Sequence, residues 1–120
     1  MGFVYADTKI TKITGGKKSY SMPFLVDTGS TNSVIPEDKL DDIGIKREFK
    51  ECYELADGTE VSYDVGHAFI CVNGQRVVGN VVFGPKDAEP LLGVTVLESA
   101  GFIVDPVSRT LVKVKALKLK

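Results

Sequence analysis

Hydrophobic and polar positions alternate in short runs along most of this chain, and the pattern predicts strands joined by tight turns. From Gly2 through the Thr-Lys-Ile pairs the alternation suits an extended strand, with Gly15-Gly16-Lys17-Lys18-Ser19 as the hairpin turn after it. Tyr20 to Val26 is the next strand and closes on the apolar run Phe24-Leu25-Val26. Glu37 to Ile43 reads as a short helix with Gly44 as its C-cap. Between Phe49 and Gly79 strand and turn signals dominate. Cys52–Leu55 and Val61–Val65 flank Ala56-Asp57-Gly58-Thr59, and His67–Val72 and Gln75–Val78 flank Asn73-Gly74. Asp-Gly and Asn-Gly between alternating residues predict hairpins, because these residues accept positive φ. Asn80 to Gly84 is a further apolar strand, and the loop Pro85–Pro90 leads into Leu91-Leu92-Gly93. A second short helix, Thr95–Ala100, again ends in Gly. Phe102-Ile103-Val104, a turn at Asp105-Pro106 and the alternating Leu111–Lys120 finish the chain as strands, the spaced lysines suiting an exposed edge.

At 120 residues this is read as one domain, 1–120, with a modest core. A formal net charge of -1 argues against nucleic acid, where a basic face would be expected. No apolar run approaches membrane-spanning length and no export signal is read, so the expectation is a cytoplasmic protein without a membrane partner. Met1-Gly2 is not a myristoylation signal, because Ala6 stands where Ser or Thr is needed. Cys52 and Cys71 are far apart and lack a His pair, so no metal is expected and both read as small strand residues. His67 is isolated and receives no role. Gly15-Gly16-Lys17-Lys18 lacks the upstream Gly and the hydroxyl of a phosphate loop, which excludes nucleotide binding there.

The chemistry concentrates where Phe24-Leu25-Val26 delivers Asp27 into the turn Thr28-Gly29-Ser30. A carboxylate at the mouth of a core strand is a candidate for acid–base work, and Asp, Thr, Gly and Ser are also plain turn formers. An internal echo supports a two-part plan: Leu40-Asp41-Asp42-Ile43-Gly44-Ile45 and Leu97-Glu98-Ser99-Ala100-Gly101-Phe102 share Leu, three residues, Gly and an apolar residue. The echo pairs the Asp27 loop with the Leu91-Leu92-Gly93 loop.

Taken together, these stretches resemble the retropepsin-like aspartic proteases. Phe24-Leu25-Val26-Asp27-Thr28-Gly29-Ser30 looks like the family's active-site signature, Leu91-Leu92-Gly93 like its second-half motif, and Ala56-Asp57-Gly58-Thr59 falls where its flap tip lies. The Leu-Ala-Asp-Gly-Thr flap and the Gly-Phe-Ile-Val-Asp-Pro-Val ending look most like the stand-alone bacterial and archaeal type. The resemblance implies an all-β fold: a small closed barrel with a flap hairpin and one or two short helices. It also implies an aspartic endopeptidase without cofactor, cutting extended or unfolded polypeptide.

The family's chemistry uses two facing carboxylates that share a proton and a water. Only one Asp-Thr-Gly is present, so the resemblance implies a homodimer with one Asp27 from each copy. By the same resemblance Thr28 would bond across the two-fold axis. Gly29 would let the backbone amide approach the carboxylate, and Ser30 would hydrogen-bond its outer oxygen. Ala56, Asp57, Gly58 and Thr59 would close over the peptide as part of the flap. Val34, Ile35, Val81 and Val82 are either pocket or plain core. Tyr53 and Tyr63 read as packing on the flap's face, and the ends, Phe3–Ala6 and Leu111–Lys120, read as dimer interface or free edge strands. Two other readings stand beside the peptidase: a non-catalytic dimeric peptide-binding module on the same fold, and an unrelated small barrel with a chance turn.

Overall fold

Short apolar runs broken by turn residues produce a fold built mainly of strands, with two short helices. The computed structural model describes residues 3–114. In chain order the elements are β1 (Tyr5–Thr11), β2 (Ser19–Val26), β3 (Ser33–Pro36), α1 (Glu37–Asp42), β4 (Phe49–Glu54), β5 (Glu60–Val72), β6 (Gln75–Gly84), β7 (Leu91–Leu92), α2 (Val94–Ala100), β8 (Phe102–Asp105) and β9 (Thr110–Lys113).

The main sheet runs β1-β2-β7-β3-β6-β5-β4, and β1 also pairs with β5. That return pairing makes the sheet ring-like, with β4 outside the ring. The expected all-β barrel is therefore present as a ring rather than a fully closed cylinder. β8 and β9 form a separate two-stranded sheet.

The period-2 pattern explains which faces are buried. In β1, Ala6, Thr8 and Ile10 point inward while Tyr5, Asp7 and Lys9 are exposed. Ile10, Phe24, Ile35, Val65, Ile70, Val81 and Leu92 are fully buried within the ring. The helices cover its openings with Leu40 from α1 and Val96, Leu97 and Ala100 from α2. α2 seats directly on Gly79, where a Cβ would stand 3.0 Å from Val96 Cγ2 and 3.1 Å from Ile70 Cδ1.

Two glycines that read as strand breaks are passages for other chain instead. Val61–Val65 and His67–Val72 are one strand, β5, and Gln75–Val78 and Asn80–Gly84 are one strand, β6. Gly66 continues β5 because the incoming 46–48 segment crosses it: a Cβ there would lie 2.3 Å from the Lys46 carbonyl oxygen, and Glu48 N donates to Val65 O at 2.8 Å. Val65 is where β5 changes partner. It opposes Phe49 of β4 on one side and Val82 of β6 on the other. The short helices lie at the expected places with shifted ends: α1 is capped at Ile43 rather than Gly44, which follows it in the left-handed conformation, and α2 starts one residue early at Val94 and ends on Gly101, also left-handed, φ 80°. β4 begins at Phe49, earlier than the Cys52 expected from the pattern, and β9 stops at Lys113. The rest of the expected Leu111–Lys120 strand, residues 115–120, lies outside the described residues, as do Met1 and Gly2.

A charged cluster fixes the root of the β4–β5 hairpin. The Arg47 guanidinium lies 2.7 Å from Asp41, 2.8 Å from Asp64 and 3.2 Å from Glu37, and stacks 4.4 Å above the Phe83 ring. Lys50 joins Asp64 at 2.8 Å. Exposed ion pairs contribute little singly, but this cluster ties α1 to β5 through one planar side chain. Lys50 and Arg47 beside Asp64 hold its carboxyl below the usual carboxylate range. A folded-state pKa below the unfolded value means that the stabilisation is complete above the unfolded pKa and is lost as pH falls through the folded one. Denaturant midpoints followed from neutral into acid pH are therefore expected to fall less steeply for Asp64→Asn than for the wild type.

Candidate active site

β2 leaves the ring at Val26, and Asp27 opens the turn that follows. Phe24 is fully buried while Leu25, Val26 and Asp27 are half-buried, so the carboxylate stands at the edge of the core. Asp27 N donates to Leu92 O at 3.0 Å, and Ser30 N closes the turn onto Asp27 O at 3.1 Å. Gly29 N donates to Asp27 Oδ1 at 3.0 Å. A Cβ on Gly29 would lie 3.3 Å from that same oxygen, so glycine allows the amide to approach the carboxylate without pressing on it. Thr28 and Gly29 are exposed at the tip.

The second-half loop supports this turn from behind. β7 pairs in parallel with β2, Leu25 opposite Leu91 and Val26 opposite Leu92. Beyond it Gly93 N donates to the buried Ser33 Oγ at 3.0 Å and Val94 N to Ser30 O at 2.7 Å. Thr95 donates twice to Thr31 O, from its amide at 3.3 Å and its hydroxyl at 2.7 Å. The two stretches paired by the sequence echo, Asp27-Thr28-Gly29-Ser30 and Leu91-Leu92-Gly93, are thus neighbours.

The β4–β5 hairpin reaches this loop through Tyr53. Asn32 Nδ2 donates to Tyr53 Oη at 3.1 Å. Beside that bond lies a pocket of about 220 Å³ lined by Ser30, Asn32, Val34, Tyr53, Tyr63 and Val82, with Gly84 and Pro85 at its end. Val34 and Val82 therefore face a pocket, whereas Ile35 and Val81 are core. The hairpin tip, Ala56, Asp57, Gly58 and Thr59, is exposed throughout. Among the described residues none of these four hydrogen-bonds the Asp27 loop. Leu55 N donates to Thr59 O at 2.7 Å and Gly58, at φ 88°, donates to Leu55 O at 2.9 Å. Asp57 Oδ1 accepts Thr59 N at 2.9 Å, and the hydrogen bonds from Thr59 hold the Asp57 carboxyl below the usual range. Asp57 shapes its own turn.

Ser30 differs from expectation. Its hydroxyl donates to Asn32 O at 2.8 Å rather than to Asp27, since a backbone acceptor two residues on is the nearest partner for a short hydroxyl. His67 Nδ1 pairs with Asn80 Oδ1 at 2.9 Å across β5 and β6. The pattern missed Asn32 and Ser33. Neither carries a distinctive sequence signal, and each acquires its role from a partner distant in the chain, Tyr53 and Gly93.

Comparison with known proteins bears on this geometry. The sequence profile of the family described as "gag-polyprotein putative aspartyl protease" matches residues 13–99. Among solved structures, the solution structure of the simian foamy virus (mac) protease superposes with a TM-score of 0.57 at 22% sequence identity, covering 78% of this chain and 90% of that one. This likeness establishes a shared retroviral-protease fold. No curated protein sequence matches the chain. Neither match bears on the expected bacterial or archaeal type.

Gly93 has ordinary extended geometry, φ -84° and ψ 166°, so its requirement is steric. A Cβ there would stand 2.5 Å from Asn32 C and 2.6 Å from Thr31 O, both backbone atoms that cannot move aside. Gly93→Ala is expected to lower stability by about 3 kcal/mol or more in denaturant titration. Gly58→Ala, with open space around it, costs only its positive-φ strain of about 1 kcal/mol.

Proposed function

Because the chain belongs to the gag-polyprotein aspartyl protease family, we propose that it is an aspartic endopeptidase that works as a homodimer, with Asp27 of each copy forming one half of the catalytic pair. The observation that carries this reading is the Asp27 turn itself. One carboxylate is held at the core's edge by Leu92 O behind the backbone and by Gly29 N on Oδ1, with Thr28 and Gly29 exposed beside it. The other stretch of this chain that backs the turn, Leu91-Leu92-Gly93, offers no carboxylate. A second copy related by a two-fold axis supplies the missing one.

Two carboxylates that close cannot both ionise, so they share one proton. The ionised one takes a proton from water as the water oxygen bonds to the peptide carbonyl carbon, and the protonated one gives its proton to the carbonyl oxygen. The tetrahedral diol then collapses: a diol proton returns to one carboxylate, the other protonates the amide nitrogen, and the C–N bond breaks. No covalent enzyme intermediate and no cofactor is involved. Gly29 N fixes the orientation of Oδ1, Thr28 meets its partner across the axis, and Ser30 holds the loop through Asn32 O. The β4–β5 hairpin covers an extended peptide, which adds to it as a strand.

The pocket lined by Val34, Tyr53, Tyr63 and Val82 suits one large apolar side chain of that peptide. Wild-type protein incubated with an unfolded polypeptide mixture is expected to release fragments with a large apolar residue enriched at one position near the cut. Asp27→Asn is expected to cut at least about 10³-fold more slowly while still sedimenting as a dimer. Equal cleavage by the two proteins would remove Asp27 from the chemistry. A folded dimer of wild type that cuts nothing would instead favour a peptide-binding module.

A further inference from the structure

The proposed peptidase needs its hairpin held at a fixed height over the Asp27 loop, yet β4 is the outermost strand of the sheet and pairs only with β5. Its free edge offers no backbone grip on the ring. The Arg47 cluster secures the hairpin's root, on the side away from the tip. Among the described residues, a single side-chain hydrogen bond joins the hairpin to the segment from Asp27 to Pro36, the one from Asn32 Nδ2 to Tyr53 Oη.

Both ends of that bond are held by other contacts. Asn32 is backed by Gly93, so close that not even a methyl group fits between them, and its carbonyl accepts the Ser30 hydroxyl. It cannot retreat. Tyr53 lies against Tyr63 on the next strand, ring centroids 6.0 Å apart at 49°. The two rings are diagonal neighbours, since Tyr53 opposes Val61 and Tyr63 opposes Glu51. Asn32 and Tyr53 are both half-buried, which limits competition from water, and both border the 220 Å³ pocket.

We propose that the Asn32–Tyr53 hydrogen bond is a latch that sets the spacing between the hairpin and the Asp27 loop, and through it the grip on a peptide side chain in this pocket. The effect on KM rests on the peptidase reading; the latch itself does not. Asn32 and Tyr53 are positioning residues, neither of which transfers a proton. Grip on the substrate is needed equally in the bound state and in the transition state. Loss of the latch therefore raises KM and leaves kcat nearly unchanged.

The test is a double-mutant cycle of Tyr53→Phe, which keeps the ring and removes only the hydroxyl, with Asn32→Ala, read out in two ways. On a peptide with a large apolar residue at the selected position, each single variant is expected to raise KM about 2- to 10-fold. The double variant is expected to be no worse than the worse single. Amide hydrogen exchange across residues 54–59 needs no substrate. It is expected to speed up in each single variant, again without addition in the double. Unchanged exchange in Tyr53→Phe, or single effects that add, would overturn the latch. Faster exchange with unchanged KM would overturn its role in gripping substrate. If the wild type cuts no peptide, the peptidase reading fails while the exchange cycle still decides the latch.

Discussion

The geometry of this molecule depends on the close approach of two distant backbones. The end of β2 and the turn after it lie against the segment from Pro90 to Thr95, joined by Leu25 N to Pro90 O, Asp27 N to Leu92 O and Val94 N to Ser30 O, each between 2.7 and 3.0 Å. β7 is only Leu91–Leu92, yet it fills the gap between β2 and β3 that the Asp27 turn would otherwise leave unpaired. Backbone groups that a core encloses must find partners, and here those partners come from some sixty residues away, as between Gly93 N and the buried Ser33 Oγ. Gly93 is the condition for this. Any side chain there would occupy the space of Thr31 O and Asn32 C.

Around that junction the molecule divides mechanically. The ring is held by paired strands on both sides and by a fully buried core of Ile10, Phe24, Ile35, Ile70 and Leu92. The β4–β5 hairpin projects from it, continuous with the ring's sheet through the long strand β5 and secured further by polar side chains: Arg47 at its root and Tyr53 toward the Asp27 loop. A rigid floor with a cover attached by a few separable contacts suits a site that must admit a polymer and then enclose it. The proposed chemistry fits the same division. The carboxylate belongs to the floor, where its backbone cannot shift, and the pocket is shared by floor and cover through Val34, Val82, Tyr53 and Tyr63.

Much of this was legible in the order of residues. Alternation placed β1, β2 and the two hairpins, because a strand with one buried face must repeat every second residue. Gly44 and Gly101 marked the helix ends, since glycine accepts the left-handed conformation found at both, and the run Phe24-Leu25-Val26 pointed to Asp27 as the residue leaving the core. The glycines at 66 and 79 misled for a definite reason. A missing side chain reads the same along the chain whether it marks a break or makes room for another segment, and here it makes room for Lys46 and for Val96.

The sequence by itself thus determined most of the local conformations and turns and the place of Asp27 at the end of a core strand, because these follow from side-chain periodicity and backbone preference over a few residues. Only the tertiary structure decided that β1 returns to β5, that Ser30 bonds Asn32 rather than Asp27, and that Asn32 and Tyr53 meet beside an apolar pocket. Each of these depends on where the whole ring carries an ordinary residue, and a hydrogen bond between groups 21 positions apart leaves no periodic trace in the chain that makes it.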